Sequence, residues 1–149
     1  ENGEGVRFEG PKGAPVVNMV FDPQCQWCVW EFEQFRPFMD RVTFVWHPVA
    51  VLNPWSELQG AAILAAKDPK AVFMEHEAHF RDKAFKGLDV RKMTLPFEKR
   101  EKVWDNSKIF RRAGGNSVPF GVLRTTDGRY VPIPQVTAAD FARLSGLKA

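Results

Sequence analysis

The sequence predicts an α/β fold on a central mixed sheet, with a βαβ half and a ββα half separated by a helical insertion of two to four helices. Three observations carry this expectation. Two short apolar runs, Val16–Phe21 and residues 42–46, bracket a helical segment and read as buried strands. Residues from about 55 to 113 contain helix start and stop signals and no strand pattern. After them the Asp127-Gly128 turn joins two strand patterns, 120–125 and 130–133, ahead of one more helix.

Taken in order, residues 1–14 form a polar, glycine-rich extension in which Val6-Arg7-Phe8 can make a short edge strand. The helix that follows Cys25 keeps apolar residues at Trp30, Phe32, Phe35, Phe38 and Met39, and Pro37 should kink or end it. The strand at 42–46 should stop at His47-Pro48, which makes His47 a structural strand-end group. Ser56-Glu57-Leu58 begins the first inserted helix, with Leu58, Ala61, Ala62, Leu64 and Ala65 on one face. Asp68-Pro69 is a cap followed by proline at the first helical position, opening a helix expected to reach Phe85. Pro96 opens a stretch carrying Val103, Trp104, Ile109 and Phe110, with a break expected near Asp105-Asn106 and closure at Gly114-Gly115. Thr137-Ala138-Ala139-Asp140 resembles a capping box and heads a last helix to about Ser145.

No repeat, low-complexity tract or linker divides the 149 residues, so a single domain over 1–149 is expected. The 44% apolar content, with 13 Phe, 5 Trp and 1 Tyr, is enough for a sizeable core. With 21 basic against 18 acidic residues, and acids interrupting the basic stretches, no nucleic-acid partner is expected. The longest apolar stretch, near 61–66, is far too short to cross a membrane, so the chain should not be membrane-embedded. It starts at Glu1 rather than Met, as a processed or trimmed form would, and a removed secretory signal fits that.

Both cysteines lie in Cys25-Gln26-Trp27-Cys28, at the junction of a predicted strand and a predicted helix. Unpaired N–H groups and positive dipole charge at a helix start stabilise a thiolate, and the thiolate is the form that attacks disulfides. A structural staple is a weak alternative, because closing so short a loop is worth roughly 2 kcal/mol against about 4.7 for a loop of ~100 residues. A zinc site would need more ligands, and only His47, His76 and His79 remain to supply them. His76-Glu77-Ala78-His79 is spaced i, i+3, one short of the zinc-binding H-E-x-x-H pattern. Two inert buried cysteines are the third alternative, disfavoured by Gln26 and the turn position. Redox chemistry is the preferred reading, with no metal and no cofactor beyond a Cys25–Cys28 disulfide.

A C-x-x-C opening the first helix of a βαβ unit, followed by a helical insertion and a ββα half, is the thioredoxin-like arrangement. More specifically, Phe21-Asp22-Pro23-Gln24-Cys25-Gln26-Trp27-Cys28, Arg36-Pro37-Phe38, the block 61–69, and Ser117-Val118-Pro119 resemble the catalytic domain of the DsbG/DsbC family. These are bacterial periplasmic thiol:disulfide interchange proteins, and the resemblance runs from about Pro15 to the closing hairpin. It implies that Cys25 is the exposed nucleophile, Cys28 the resolving thiol and Pro119 a cis-proline. Gln26, Trp27, Val118 and Pro119 would then contact substrate, with the Val118 backbone facing Cys25 and pairing with an extended substrate. The implied partners are proteins bearing cysteines or disulfides and a membrane redox protein of the Dsb type, in the periplasm.

The chain departs from that pattern in four ways. Val118 stands where the family usually has Thr and where DsbA-like oxidases have Val. Gln26-Trp27 replaces the Pro-Tyr of DsbG, and no histidine lies between the cysteines. Only about fourteen residues precede the first confident strand, so no N-terminal dimerisation domain is expected and the chain would be monomeric. Six residues before the nucleophile, where thioredoxin and DsbA place a buried acid, this chain has Met19. Asp22 reads as a turn or capping residue and Trp30 as core. Trp27 and Trp55 are candidates for an apolar substrate groove. The expected function is DsbG/DsbC-like thiol-disulfide exchange in the isomerase or reductase direction. The rivals are a DsbA-like oxidase, a non-catalytic thioredoxin-fold chaperone or binding module, and a Cys/His copper or zinc binder.

Overall fold

The two apolar runs flanking the cysteine turn lie side by side. In a computed structural model, which describes residues 4–80, 86–91, 93–115 and 117–147, β2 (Val16–Phe21) pairs in parallel with β3 (Thr43–Pro48). The crossover between them is α1 (Gln26–Phe35), as a parallel pair requires. Antiparallel pairing adds β1 (Val6–Phe8) to the outer edge of β3 and β4 (Phe120–Arg124) to β2, and β5 (Tyr130–Ile133) closes the other edge. The sheet order is β1-β3-β2-β4-β5, mixed as expected.

Alternation along β2 buries Val17, Met19 and Phe21 toward one face. There they join Phe32 and Phe35 of α1, Phe73 of α3 (Pro69–Ala78) and Phe141 of α5 (Ala138–Ser145). Trp46 and Phe44 of β3 complete an aromatic core in which Phe35 stacks on Phe44 and the other rings meet edge-on or tilted, with Phe32 5.7 Å from Trp46 and Phe35 4.9 Å from Phe141. Such pairs add about 0.5–1.5 kcal/mol each beyond their buried area. They fix α1, and so the cysteine turn at its start, against the sheet. A second apolar cluster of Ala61, Leu64 and Val103 joins α2 (Pro54–Ala65) to α4 (Phe97–Arg112).

The insertion contains three helices among the described residues, within the expected range. Four boundaries differ from the sequence reading. The first inserted helix begins at Pro54 rather than Ser56, because Asn53 caps it by accepting the Trp55 N–H at 3.0 Å; at its far end Ala65 is exposed. The strand at 42–46 does not stop before His47-Pro48 but runs through both, and His47 is buried with its Nε2 2.9 Å from Asn18 Oδ1. Helix α4 is unbroken at Asp105-Asn106. Asn106 turns inward and donates through Nδ2 to the carbonyls of Glu4 and Pro48, both at 2.9 Å, so its side chain does not compete for the helix backbone. The helix opened by Asp68-Pro69 ends at Ala78, and the expected extension to Phe85 falls on 81–85, outside the described residues. Pro37 ends α1 as anticipated, converting its last turn into a 3-10 turn over Arg36–Phe38.

Candidate active site

Cys25 is the N-cap of α1. Its extended backbone leaves the sulfur over the first turn, where Sγ accepts the Cys28 N–H at 3.1 Å. On its other side Sγ lies 3.9 Å from the Val118 carbonyl oxygen. That contact sets the segment preceding β4 against the cysteine turn, and the Val118–Pro119 peptide bond is cis. Neither cysteine is disulfide-bonded.

One buried carboxylate organises the turn. Asp22 accepts the Gln24 N–H at 2.8 Å, the Ser56 hydroxyl at 2.5 Å, and the Val51 and Leu52 N–H groups at 2.8 and 2.9 Å. Its carbonyl accepts the Cys25 N–H at 2.9 Å. The sequence marked Asp22 as a turn residue, and it is one, but it also ties the turn to the start of α2. A second tether runs through His76 of α3. The Leu88 N–H donates to His76 Nδ1 at 3.0 Å, which leaves Nε2 to carry the proton and donate to the Pro23 carbonyl at 2.6 Å. Gly87, at φ +79°, packs where a Cβ would lie 2.1 Å from the His76 ring. Gln24 donates to Gln59 Oε1 at 2.6 Å, and Gln59 donates to the Lys86 and Leu88 carbonyls at 2.7 and 2.9 Å.

Cys25 opens into a groove of about 510 Å³ whose walls are Gln26, Trp27, Val51, Leu52, Phe80 and Val118. The structure therefore brings Cys25, Gln26, Trp27 and Val118 to one surface, with Pro119 directly behind Val118. Gln26 and Trp27 are exposed. Three expectations are corrected here. Cys25 is not an exposed residue: it is 6% accessible, because Val118 and the first turn of α1 cover all but the groove side of its sulfur. Trp30 is not core. It is half-buried, stands edge-on to Trp27 at 5.9 Å, and lines an adjoining groove of about 420 Å³. Trp55 does not line the Cys25 groove; Val51 and Leu52 occupy that side. Among the described residues no three His, Cys, Asp or Glu side chains cluster as metal ligands.

The electrostatics separate the two thiols. The hydrogen bond from the Cys28 thiol lowers the Cys25 pKa, helped by the N–H groups of Cys28 and Trp27 and opposed by burial and the Asp22 charge. Burial pushes Cys28 well above the ordinary thiol range, and the neighbouring Cys25 raises it further. The surroundings thus favour the thiolate on Cys25 and the protonated thiol on Cys28. Two carboxyls join this field that the sequence did not single out. Glu31, fully buried on α1, is raised to about 8, first by burial; Glu77 of α3, half-buried, is raised to about 8 as well. The Cys25 charge contributes to both.

Over 119 residues the chain is 34% identical to the thiol:disulfide interchange protein DsbG of Escherichia coli, a match covering 75% of this chain and 45% of that protein. The DsbG of Pseudomonas aeruginosa is 29% identical over 124 residues, covering 81% and 47%. The chain is related to DsbG. It spans about half the length of these curated relatives. No protein-family model matches it. A periplasmic thioredoxin-like protein from Salmonella enterica serovar Typhimurium superposes with a TM-score of 0.74 at 16% identity, over 95% of this chain and 88% of that one. The fold is thioredoxin-like, and the resemblance to DsbG read from the cysteine turn and the block 61–69 holds.

Proposed function

We propose that this DsbG relative is a thiol:disulfide oxidoreductase acting on protein cysteines, in the isomerase or reductase direction. The Cys25 thiolate attacks a substrate disulfide, forming the Cys25–substrate bond and releasing one substrate thiolate. Cys28 loses its proton and attacks Cys25 Sγ, which forms the Cys25–Cys28 disulfide and releases the second substrate thiolate. A substrate strand lying in the groove would meet the Val118 carbonyl on one side and Trp27 and Leu52 on the other, with Pro119 holding Val118 in place. One observation carries the reading: Cys25 Sγ caps a helix start, accepts the Cys28 N–H, and faces a groove, while Cys28 lies buried behind it.

The setting that goes with this activity is the periplasm, where a membrane redox protein of the Dsb type would restore the working state of the pair. No helix among the described residues is long and apolar enough to cross a membrane. The test is insulin reduction and refolding of scrambled ribonuclease by the wild type and by Cys25→Ser, with the equilibrium against glutathione measured alongside. Activity lost in Cys25→Ser supports the reading, and equal activity in both proteins refutes it. An equilibrium strongly favouring the dithiol would instead make the chain an oxidase, the direction that Val118 before Pro119 resembles.

A further inference from the structure

The buried face of α1 holds one residue that packing does not explain. Cys28, Glu31, Phe32 and Phe35 form that face, spaced i, i+3, i+4 and i+7. Glu31 is 0% exposed. Its Oε2 accepts the Val136 N–H at 2.7 Å, from the loop entering α5, while Oε1 is buried without a hydrogen-bond partner. No Lys, Arg or His among the described residues forms an ion pair with it. A buried carboxylate with one satisfied oxygen and no counter-charge is unfavourable, and such a group keeps its proton instead.

We infer that Glu31 is a redox-linked proton site: its carboxyl takes up a proton when the Cys25–Cys28 disulfide is reduced and releases it when the disulfide forms. The inference rests on the reading of Cys25 as the reactive thiol. In the dithiol form the negative charge sits on Cys25, about one and a half helical turns from Glu31, and it favours the neutral acid. When Cys25 enters a disulfide that charge leaves with the departing thiolate, and Glu31 loses its repulsive neighbour. Its proton is then released to the thiolate or to solvent, so oxidation of the pair releases the Cys28 proton and a share from Glu31 along with two electrons. Burial is the main cause that lifts Glu31 to about 8, with the Val136 N–H opposing it and the Cys25 charge adding to it. By reciprocity, ionising Glu31 raises Cys25.

Among the other charged groups near this face, Glu77 of α3 also feels Cys25 and also keeps one oxygen buried without a partner, but it feels the charges of Glu33 and Arg36 as well. On α5, Asp140 and Arg143 pair with each other at 3.2 Å. Asp22 is taken up by its four hydrogen bonds at the turn.

The experiment is a pH titration of the protonated-carboxyl stretch by infrared difference spectroscopy, on the dithiol and on the disulfide form. Mass spectrometry, by the loss of two hydrogens, establishes that the disulfide has formed, which separates failure of this inference from failure of the redox reading. The expected result is a carboxyl band whose midpoint falls on oxidation and which is absent in Glu31→Gln. The amide of that variant retains an oxygen for the Val136 N–H. Cys25→Ser, which leaves Glu31 intact, should show the lower midpoint without any oxidation. The inference is overturned by equal midpoints in the two redox forms, or by a moving band that survives Glu31→Gln and vanishes in Glu77→Gln.

Discussion

The sulfur of Cys25 caps the helix that Cys28 belongs to, accepting the Cys28 N–H at 3.1 Å. One contact thus starts the helix and stabilises the thiolate. The Cys28 thiol is the largest influence lowering Cys25. Cys28→Ala should therefore raise the Cys25 pKa and slow its alkylation by iodoacetamide at neutral pH by several-fold, with the helix intact by circular dichroism. An unchanged rate would place the activation wholly on the helix start.

Asp22 lies below the turn with every lone-pair direction used. Asp22→Ala would strand three backbone N–H groups and the Ser56 hydroxyl. Urea denaturation should report a loss of about 3–5 kcal/mol, the range for opening a buried polar network by removing its acceptor. A loss under about 1 kcal/mol would mean that water replaces the carboxylate without cost.

Much of this architecture was legible in local sequence, because strand runs, caps and turns are short-range signals. Asp68-Pro69, Pro37, Asp127-Gly128 and Thr137 each mark the boundary that their residue types predict. Asn53-Pro54 repeats the Asp68-Pro69 device, but Ser56 two residues on also reads as a helix start and masks it. The α4 break failed for another reason: Asn106 and Ser107 find partners on β3, on the N-terminal segment and within α4, which local propensity does not register. At the site, the cysteine turn and Val118-Pro119 stood out as motifs. Asp22's bonds to Val51, Leu52 and Ser56 span about thirty residues of sequence and left no local trace. Glu31 did leave one. Counting the helical period from Cys28 rather than from Trp30 gives 28, 31, 32 and 35, which is the face the structure buries.

Trp27 and Trp46 should respond in opposite ways to truncation. Trp27 is 48% exposed at the groove rim and Trp46 is fully buried. Trp27→Ala is expected to change stability by no more than about 0.5 kcal/mol, yet to lower kcat/KM for protein disulfides more than for a small disulfide. Trp46→Ala should cost about 3–5 kcal/mol. Comparable losses on large and small substrates for Trp27→Ala would remove this side chain from the substrate surface.

The same burial that makes Glu31 a proton site gives it a measurable effect on stability. Its ordinary carboxyl value of 4.5 is raised to about 8 in the folded chain. Below pH 4.5 both states hold the proton and Glu31 costs nothing. Between 4.5 and 8 the unfolded chain gives up the proton while the native state keeps it, so native stability falls as pH rises through this window. Above about 8 the loss is complete, at most roughly 4–5 kcal/mol at about 1.4 kcal/mol per pH unit. Cys25, whose pKa is lowered, pulls the other way, and His47, lowered to about 4 by burial, acts only on the acid side of 6.5. Subtracting the wild-type denaturation curve from that of Glu31→Gln largely removes both. The difference should be constant below pH 4.5, grow in favour of the variant up to about pH 8, and then level off. A difference that stays flat across the window would mean that Glu31 ionises in the folded protein as freely as in water.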